Sequence, residues 1–481
     1  MTATDISKRW PNAGDYYAER DQRTTLEVEH LHRYVHRDVE IHVDPATANS
    51  QTTQRAALVA ANLTARWARR IAVVVPDVPL APPLDRFGEG SLASRIEREM
   101  TQADPFGAFS VDEHAPPPIV EPLRLHVGAW AHVQAHEADD LIVNAAAWSA
   151  RVRRANDDPF GYEEEALPAA AALAGAIGAA DLFKRAIQHP KERWIEKLEW
   201  CTWCQALEDG RHRCRSAPSV PGSIDLGELL IAGVGAIGSA LLYVLGLGQG
   251  VGSVTVLDRD AVEVSNLNRS PLFTVDDALH ARRKTEVAVR YCEALGLTSA
   301  AVDGTWRDHG EALAGRDFDA WVSLTNEDGA WAEVPFQLPP VVLHGTTTSG
   351  WGMAFGRHLP RVEDCTYCRL PRPHVEFRGP CAAGELGDVG TVEVAAGAAR
   401  ASLPFLSAAS ASVLASELQK LAYPEVRRLP NCVQADFMFG VPTLIASLRQ
   451  RTAGCPGCAA ADIPLWEQRR VGTRFAPLSI G

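Results

Sequence analysis

Short apolar runs and longer segments of helical spacing alternate along this chain. Residues 71–75, 123–127, 141–143, 229–232 and 253–257 are compact apolar runs that predict buried strands. Residues 341–344 and 352–355 predict two more. Residues 55–70 predict an amphipathic helix with Leu58, Leu63 and Trp67 as candidate buried positions, and 281–295 predict a further helix. Alternation of this sort predicts an α/β fold, a mostly parallel sheet with flanking helices. It occurs twice, in 1–215 and in 226–425. Proline and serine mark 215–225 as a linker, and 426–481 forms a tail.

The two halves share a fingerprint. Leu167-Pro168, an alanine-rich stretch and Asp181-Leu182-Phe183-Lys184 recur as Leu403-Pro404, an alanine- and serine-rich stretch and Glu417-Leu418-Gln419-Lys420, with the same spacing. Two alanine-rich helices can coincide in this way. The preferred reading is two copies of one domain, with nucleotide-binding residues only in the second.

Composition narrows the class. With 481 residues the chain has room for two or more domains. A formal net charge of −13 offers no surface for nucleic acid or an anionic membrane. The start, MTATDISKRW, has no apolar signal-peptide core. Residues 229–257 carry no charge and are long enough to span a bilayer, yet a glycine-rich strand–helix–strand pattern accounts for them without one. Ten cysteines then point to a reducing, cytoplasmic setting with metal-binding or reactive thiols.

The chemistry concentrates between Leu229 and Arg269. Gly233, Gly235 and Gly238, with Ala236 among them, form Gly-x-Gly-x-x-Gly between a strand and a helix. Glycines allow a tight turn and the close approach of a phosphate, and a helix N-terminus offers it free N–H groups. Asp258 ends the next strand and can take ribose hydroxyls. The motif alone fits a dinucleotide or ATP. Asp260, Asn266, Asn268 and Arg269 follow at the carboxyl end of that strand, where doubly wound sheets bind ligands. Lys284 stands on the next helix. Arg269 and Lys284 supply positive charge where phosphoryl oxygens need it.

Asp258-x-Asp260, Ser265-Asn266-Leu267-Asn268-Arg269 and Lys284 behind the glycine motif resemble the ThiF/MoeB/HesA superfamily, which includes ubiquitin-activating enzymes. The resemblance runs from about 229 to 423. It implies two Rossmann-like adenylation halves, the first without its phosphate loop and the second active. It implies that ATP and Mg2+ bind, and that the C-terminal carboxylate of a small β-grasp protein is adenylated. It places Gly235 and Gly238 in the phosphate loop, Asp258 on the ribose, and Asn266, Arg269 and Lys284 on phosphates. One departure stands out. Where the family has a magnesium-holding Asp after the fourth strand, Leu324-Thr325-Asn326-Glu327-Asp328 puts Asn326, a weaker and uncharged oxygen ligand. Glu327 and Asp328 are neighbouring substitutes.

Cys365-x-x-Cys368 and Cys455-x-x-Cys458 have the spacing of two zinc knuckles and predict a tetrathiolate Zn2+ site that staples the tail to the second half. Cys201, Cys204, His212 and Cys214 are less regular. They read as a second metal site or as packing beside Trp200 and Trp203. Cys292 reads as core. Cys381 lies in a glycine-bearing crossover loop near 369–400. The resemblance makes it the nucleophile that attacks the acyl-adenylate and releases AMP. Cys432 is the competing thiol. His344 reads as a buried strand-end histidine. Arg151, Arg153 and Arg154 read as a solvated cluster, although in the family an arginine from the partner half enters the ATP site.

The expectation is a cytoplasmic enzyme resembling bacterial ubiquitin-activating-like enzymes with fused halves, found in defence-type operons. Its partners would be a ubiquitin-like protein, held as a thioester on Cys381, and a conjugating enzyme. Neither nucleic acid nor membrane is expected as a partner, and a homodimer is compatible. Sulfur-carrier or peptide adenylation, in cofactor or natural-product biosynthesis, is the alternative with the same chemistry. A non-catalytic nucleotide-binding scaffold rests on Asn326. An NAD-dependent oxidoreductase leaves 265–269 and the cysteine pairs unexplained.

Overall fold

The protein is described here from a computed structural model covering residues 3–26, 28, 31–88, 90–114, 121–130, 139–159, 164–208, 214–325, 327, 330–348, 351–369 and 403–480. The first half builds one eight-stranded sheet in the order β3-β2-β1-β4-β5-β6-β7-β8. These strands are β1 Asp38–Val43, β2 Arg70–Val74, β3 Ala108–Asp112, β4 Leu123–Val127, β5 Leu141–Ala146, β6 Ser149–Arg154, β7 Leu198–Cys201 and β8 Ala206–Glu208. The second half repeats the order as β11-β10-β9-β12-β13-β14-β15-β16. Its strands are β9 Ile224–Ala232, β10 Gly250–Asp258, β11 Thr298–Asp303, β12 Ala320–Ser323, β13 Val342–Thr348, β14 Gly352–His358, β15 Cys432–Asp436 and β16 Thr443–Ser447. In each sheet the first five positions run parallel and the last three pairings are antiparallel. Order and direction match strand for strand, as expected of two copies of one domain.

The shared fingerprint forms the centre of the molecule. Pro168–Ala186 and Pro404–Lys420 are helices, each with proline in its first turn, where the missing N–H costs nothing. They pack on each other, and Phe183 meets Phe405 at 5.7 Å between ring centroids. The helices that follow the first strand of each half, Gln51–Ala65 and Ala236–Gly246, pack beside them. Helices buried on every side need small residues. A Cβ on Gly175 would sit 2.6 Å from the Ala56 carbonyl oxygen. The alanine-rich composition therefore reflects close backbone approach inside a shared layer.

The apolar stretch 229–257 divides into β9, the Ala236–Gly246 helix and β10. Among the described residues no helix is long and apolar enough to cross a membrane. The apolar runs did not mark β1, β3, β11 or β12, and two further features differ from the reading of the sequence. β15 and β16 lie inside 426–481, so this segment completes the second sheet before it becomes a tail. Both are short antiparallel strands with broken burial patterns, which give little apolar signal. Arg151, Arg153 and Arg154 are not a solvated cluster but part of β6, where the first two are 1% exposed.

Candidate active site

The site is assembled at the carboxyl ends of β9, β10 and β12, where the strand order reverses. The Gly233 N–H donates to the Leu257 carbonyl and the Leu324 N–H to the Ala232 carbonyl, both at 2.7 Å. The three glycines then serve different ends. Gly233 has φ +100° and its Cβ would lie 2.8 Å from the Leu324 carbonyl. A Cβ on Gly238 would lie 2.1 Å from the Gly233 oxygen, so this residue lets the helix reach the loop. A Cβ on Gly235 would meet nothing within 4 Å. Gly235 caps the Ala236–Gly246 helix and no side chain satisfies the first-turn N–H groups. The protein leaves space and donors at the position a phosphate would take.

Charge converges beside this cradle. Asp258 accepts the Val234 N–H at 2.7 Å on one oxygen and the Asp260 N–H at 2.9 Å on the other. Lys284 Nζ donates to Asp260 Oδ2 at 2.8 Å and lies 4.0 Å from Asp258 Oδ1. Burial works against the Asp260 carboxylate, but the hydrogen bond and charge of Lys284 hold it below its ordinary range. Arg269 is buried. Burial pulls its guanidinium down to about 9, and Arg23 beside it acts in the same direction. Two guanidinium groups near one another, with Glu263 beside them, place positive charge at the loop where a polyanion could be held.

Arg23 was not legible as a site residue. It follows the Ala13–Arg20 helix of the first half, near Asp260, Glu263 and Arg269, and its Nε has no hydrogen-bond partner among the described residues. The sequence suggested Arg151, Arg153 or Arg154 as the arginine sent in from the other half. The structure assigns all three elsewhere. Arg151 lies 3.5 Å from Glu199, Arg153 donates to the Asp157 carbonyl at 3.1 Å, and Arg154 forks onto Asp181 at 2.9 and 3.2 Å.

The first half also fixes the loop that carries the phosphate candidates. Buried Arg66 donates to the carbonyls of Leu267 at 2.6 Å, Pro271 at 2.8 Å and Phe273 at 3.3 Å. Asn268 Nδ2 donates to Thr24 Oγ1 at 2.7 Å, and Asn268 Oδ1 accepts from Arg269 at 3.1 Å. Asn266 Oδ1 accepts the Glu263 N–H at 3.1 Å and caps a short helical turn. Asn266 and Asn268 thus shape the loop, while Arg269 and Lys284 bring charge to it. Asn326 and Asp328 lie outside the described residues. Glu327 accepts the Trp306 N–H at 2.9 Å and so caps the Trp306–Ala314 helix.

The equivalent place in the first half is filled from within. Asp44 follows β1 as Gly233 follows β9. Its carboxylate accepts the Ala46 N–H, the Thr47 hydroxyl and the Trp130 N–H, each at 3.0 Å.

The C-terminal cysteines meet as their spacing predicts. Sulfur separations are 3.7 Å for Cys365–Cys368, 3.8 Å for Cys365–Cys455, 3.4 Å for Cys368–Cys458 and 3.6 Å for Cys365–Cys458. Tetrahedral zinc with bonds of about 2.3 Å requires sulfurs about 3.8 Å apart. These four residues fit the ion. Gly457 belongs to the site, because a Cβ there would lie 2.9 Å from Cys365 Sγ. Beyond it, Arg470 ties the tail down by donating to the carbonyls of Leu338 at 2.6 Å and Ala314 at 2.7 Å.

The remaining candidates separate by position. Cys381 and His212 lie outside the described residues. Cys432 opens β15, paired with Gly356 and Ser447 in the sheet. Burial pushes the Cys292 thiol up to about 12, in keeping with core. His344 sits in β13; burial, then Arg369 and His358, pull it down to about 3, which leaves it neutral.

With this geometry in hand, comparison with known proteins is informative. Residues 224–305 match the ThiF family, and residues 38–193 match the BilD N-terminal domain. The chain is 28% identical over 165 residues to the sulfur carrier protein ThiS adenylyltransferase of Bacillus subtilis, covering 32% of this chain and 46% of that protein. It is 30% identical over 168 residues to the Escherichia coli protein of the same name, covering 34% and 65%. It is 30% identical over 173 residues to the uncharacterized protein y4jF of Sinorhizobium fredii, covering 35% and 32%. The matched regions are thus between about a third and two thirds of those proteins' own lengths. Among solved structures, E. coli MccB is similar with a TM-score of 0.37 and 16% identity, covering 48% of this chain and 65% of that one. In the half that bears the glycine cradle, residues 224–305 match the ThiF family, as the motif from Gly233 to Arg269 led one to expect.

Proposed function

We propose that this protein is an adenylyltransferase that uses ATP to activate the C-terminal carboxylate of a small ubiquitin-like (β-grasp) protein. The observation that carries the reading is the pairing of an uncapped helix N-terminus at Gly235 with Lys284, Arg269 and Arg23 around it. That arrangement favours a nucleoside triphosphate over a dinucleotide, because it gathers positive charge where a third phosphate would lie. The carrier's carboxylate attacks the α-phosphorus, the bond to the bridging oxygen breaks, and pyrophosphate leaves. Positioning and charge supply most of the rate. Asp258 takes the ribose, while Lys284 and Arg269 move toward phosphate oxygens. Mg2+, if bound with ATP, would neutralise phosphate charge. Glu327 caps the Trp306–Ala314 helix, and with Asn326 and Asp328 it makes up the group from which the metal's partners on this chain would come.

In the finer reading, Cys381 then attacks the acyl-adenylate, AMP leaves, and the thioester passes to a conjugating enzyme. The second reading is sulfur-carrier or peptide activation. The names of the B. subtilis and E. coli relatives favour it. Exchange of labelled pyrophosphate into ATP, measured with and without candidate carriers, tests the shared chemistry. Exchange that depends on a β-grasp carrier is expected, and its absence with every carrier would overturn the reading. A thiol-sensitive carrier adduct that Cys381→Ala abolishes supports the thioester step; an adduct that survives removes Cys381 from it.

A further inference from the structure

Outside the nucleotide site and the C-terminal knuckles, one group of side chains has chemistry that neither uses. Cys201 ends β7, Cys204 lies in the turn that follows, and Cys214 comes after β8. Their sulfur atoms lie within 4.8 Å of one another, the limit that also encloses the four C-terminal cysteines. The turn is built around sulfur. The Cys204 N–H donates to the Cys201 sulfur and the Ala206 N–H to the Cys204 sulfur. Amides aimed at sulfur fix its position, as hydrogen bonds around a metal's ligands do. In the C-terminal site the Cys368 N–H donates to Cys365 in the same way.

The turn also holds a conformation with a cost. Gln205 has φ +56°, a region that glycine prefers. Its side chain is fixed there, accepting from Trp200 Nε1 and donating to the Thr202 carbonyl, each at 3.0 Å. A β-branched or untethered residue would relax the turn and move the two sulfurs apart.

We propose that Cys201, Cys204 and Cys214 bind a second zinc ion in the first half. Each thiol gives its proton to solvent and forms one bond to the metal, and a further donor fills the fourth tetrahedral position. The ion closes the β7–β8 hairpin, whose strands are only four and three residues long, onto the chain that returns to Cys214. It also fixes Trp203 against Tyr423 of the second half, with ring centroids 5.5 Å apart. The first sheet would then be stapled at its antiparallel edge, as the second is by its tail.

The test uses the full chain, purified without chelator after growth with added zinc. Elemental analysis should give about two zinc ions per chain, falling to about one in Cys201→Ser/Cys204→Ser and also to about one in Cys365→Ser/Cys455→Ser. One zinc in the wild type, unchanged by Cys201→Ser/Cys204→Ser, overturns the site. Should a variant fail to fold, alkylation of the wild type decides. Peptides bearing Cys201, Cys204 and Cys214 should resist iodoacetamide until a chelator is added. Immediate labelling, a disulfide in the peptide mass, or iron in place of zinc each overturns the proposal.

Discussion

The two halves share strand order, strand direction and a central helix, yet only the second ends β9 in an open cradle. After β9, three glycines leave unfilled amides at a helix start. After β1, Asp44 uses its own carboxylate to satisfy the amides and hydroxyl around it. β10 ends on Asp258, whereas β2 ends on Val74. In the first half the protein's own carboxylate fills the turn after the first strand, which in the second half is left open. The first half instead presents Arg66, Arg23 and Thr24 to the loop that carries Arg269. The difference teaches that one scheme of strand order and helix packing supports two quite different loops at the same place in the sheet.

The sharpest contrast lies in the buried ion pairs of the repeated helices. Glu417 bonds Arg357 at 2.7 Å, Arg357 also holds Glu363 at 2.6 Å, and none of the three is exposed. At the equivalent position Asp181 bonds Arg154, which is 13% exposed, and has Arg185 and the Ile195 N–H in reserve. Arg357→Ala removes the cation shared by two buried carboxylates, leaving Glu417 with Lys420 and Glu363 with the Leu359 N–H, and should lower unfolding free energy by roughly 3–5 kcal/mol. Arg154→Ala should cost clearly less. Denaturant midpoints of both variants measure this, and equal losses would mean that the halves are not differently dependent on their ion pairs.

Much of this contrast was legible in the sequence because periodicity and spacing are local. Apolar runs located six of the ten parallel strands, β2, β4, β5, β9, β10 and β13, but not β1, β3, β11 or β12, which interleave polar or small residues; Leu-Pro with acid-Leu-x-Lys located the paired helices. The cysteine spacing located a site whose halves lie far apart in the chain. Arg23 was invisible for the opposite reason. Nothing in its neighbourhood marks it, and its role comes from a contact between halves. Arg151, Arg153 and Arg154 look like a solvated basic cluster until the partners Glu199 and Asp181 are brought to them. Asn266 and Asn268 look like ligand contacts, yet both are drawn into holding their own loop.

In the nucleotide site, Lys284→Ala should lower pyrophosphate exchange by on the order of 10²–10³-fold, the usual loss when one charge-stabilising donor is removed. Thermal stability should change little by comparison. A variant that keeps exchange within a few fold of wild type would take Lys284 out of the chemistry. Asp44→Ala makes the converse comparison. It should leave ATP binding unchanged while costing about 1–3 kcal/mol in stability, since three donors lose their acceptor. Reduced ATP affinity at unchanged stability would mean that the first-half loop contributes to the site directly.

The smallest effect expected is one of pH, and it also separates the halves. Lys184 and Lys420 occupy the same place in the repeat, but only Lys420 has a carboxylate bonded to it, that of Glu417. Lys184 Nζ donates to the Phe439 carbonyl at 2.9 Å, and burial pulls it down to about 7, with Asp181 and Asp436 opposing. An unfolded lysine titrates near 10.4, so between about pH 7 and that value the unfolded chain binds more protons than the folded one. Stability gains from Lys184 as pH rises through this window, and the cost of burying its charge is full below it. The slope is bounded by about 1.4 kcal/mol per pH unit. Denaturant midpoints from pH 7 to 9 should therefore rise relative to those of Lys184→Met, in which the group is absent. Parallel curves for the two proteins would show that Lys184 stays charged in the fold.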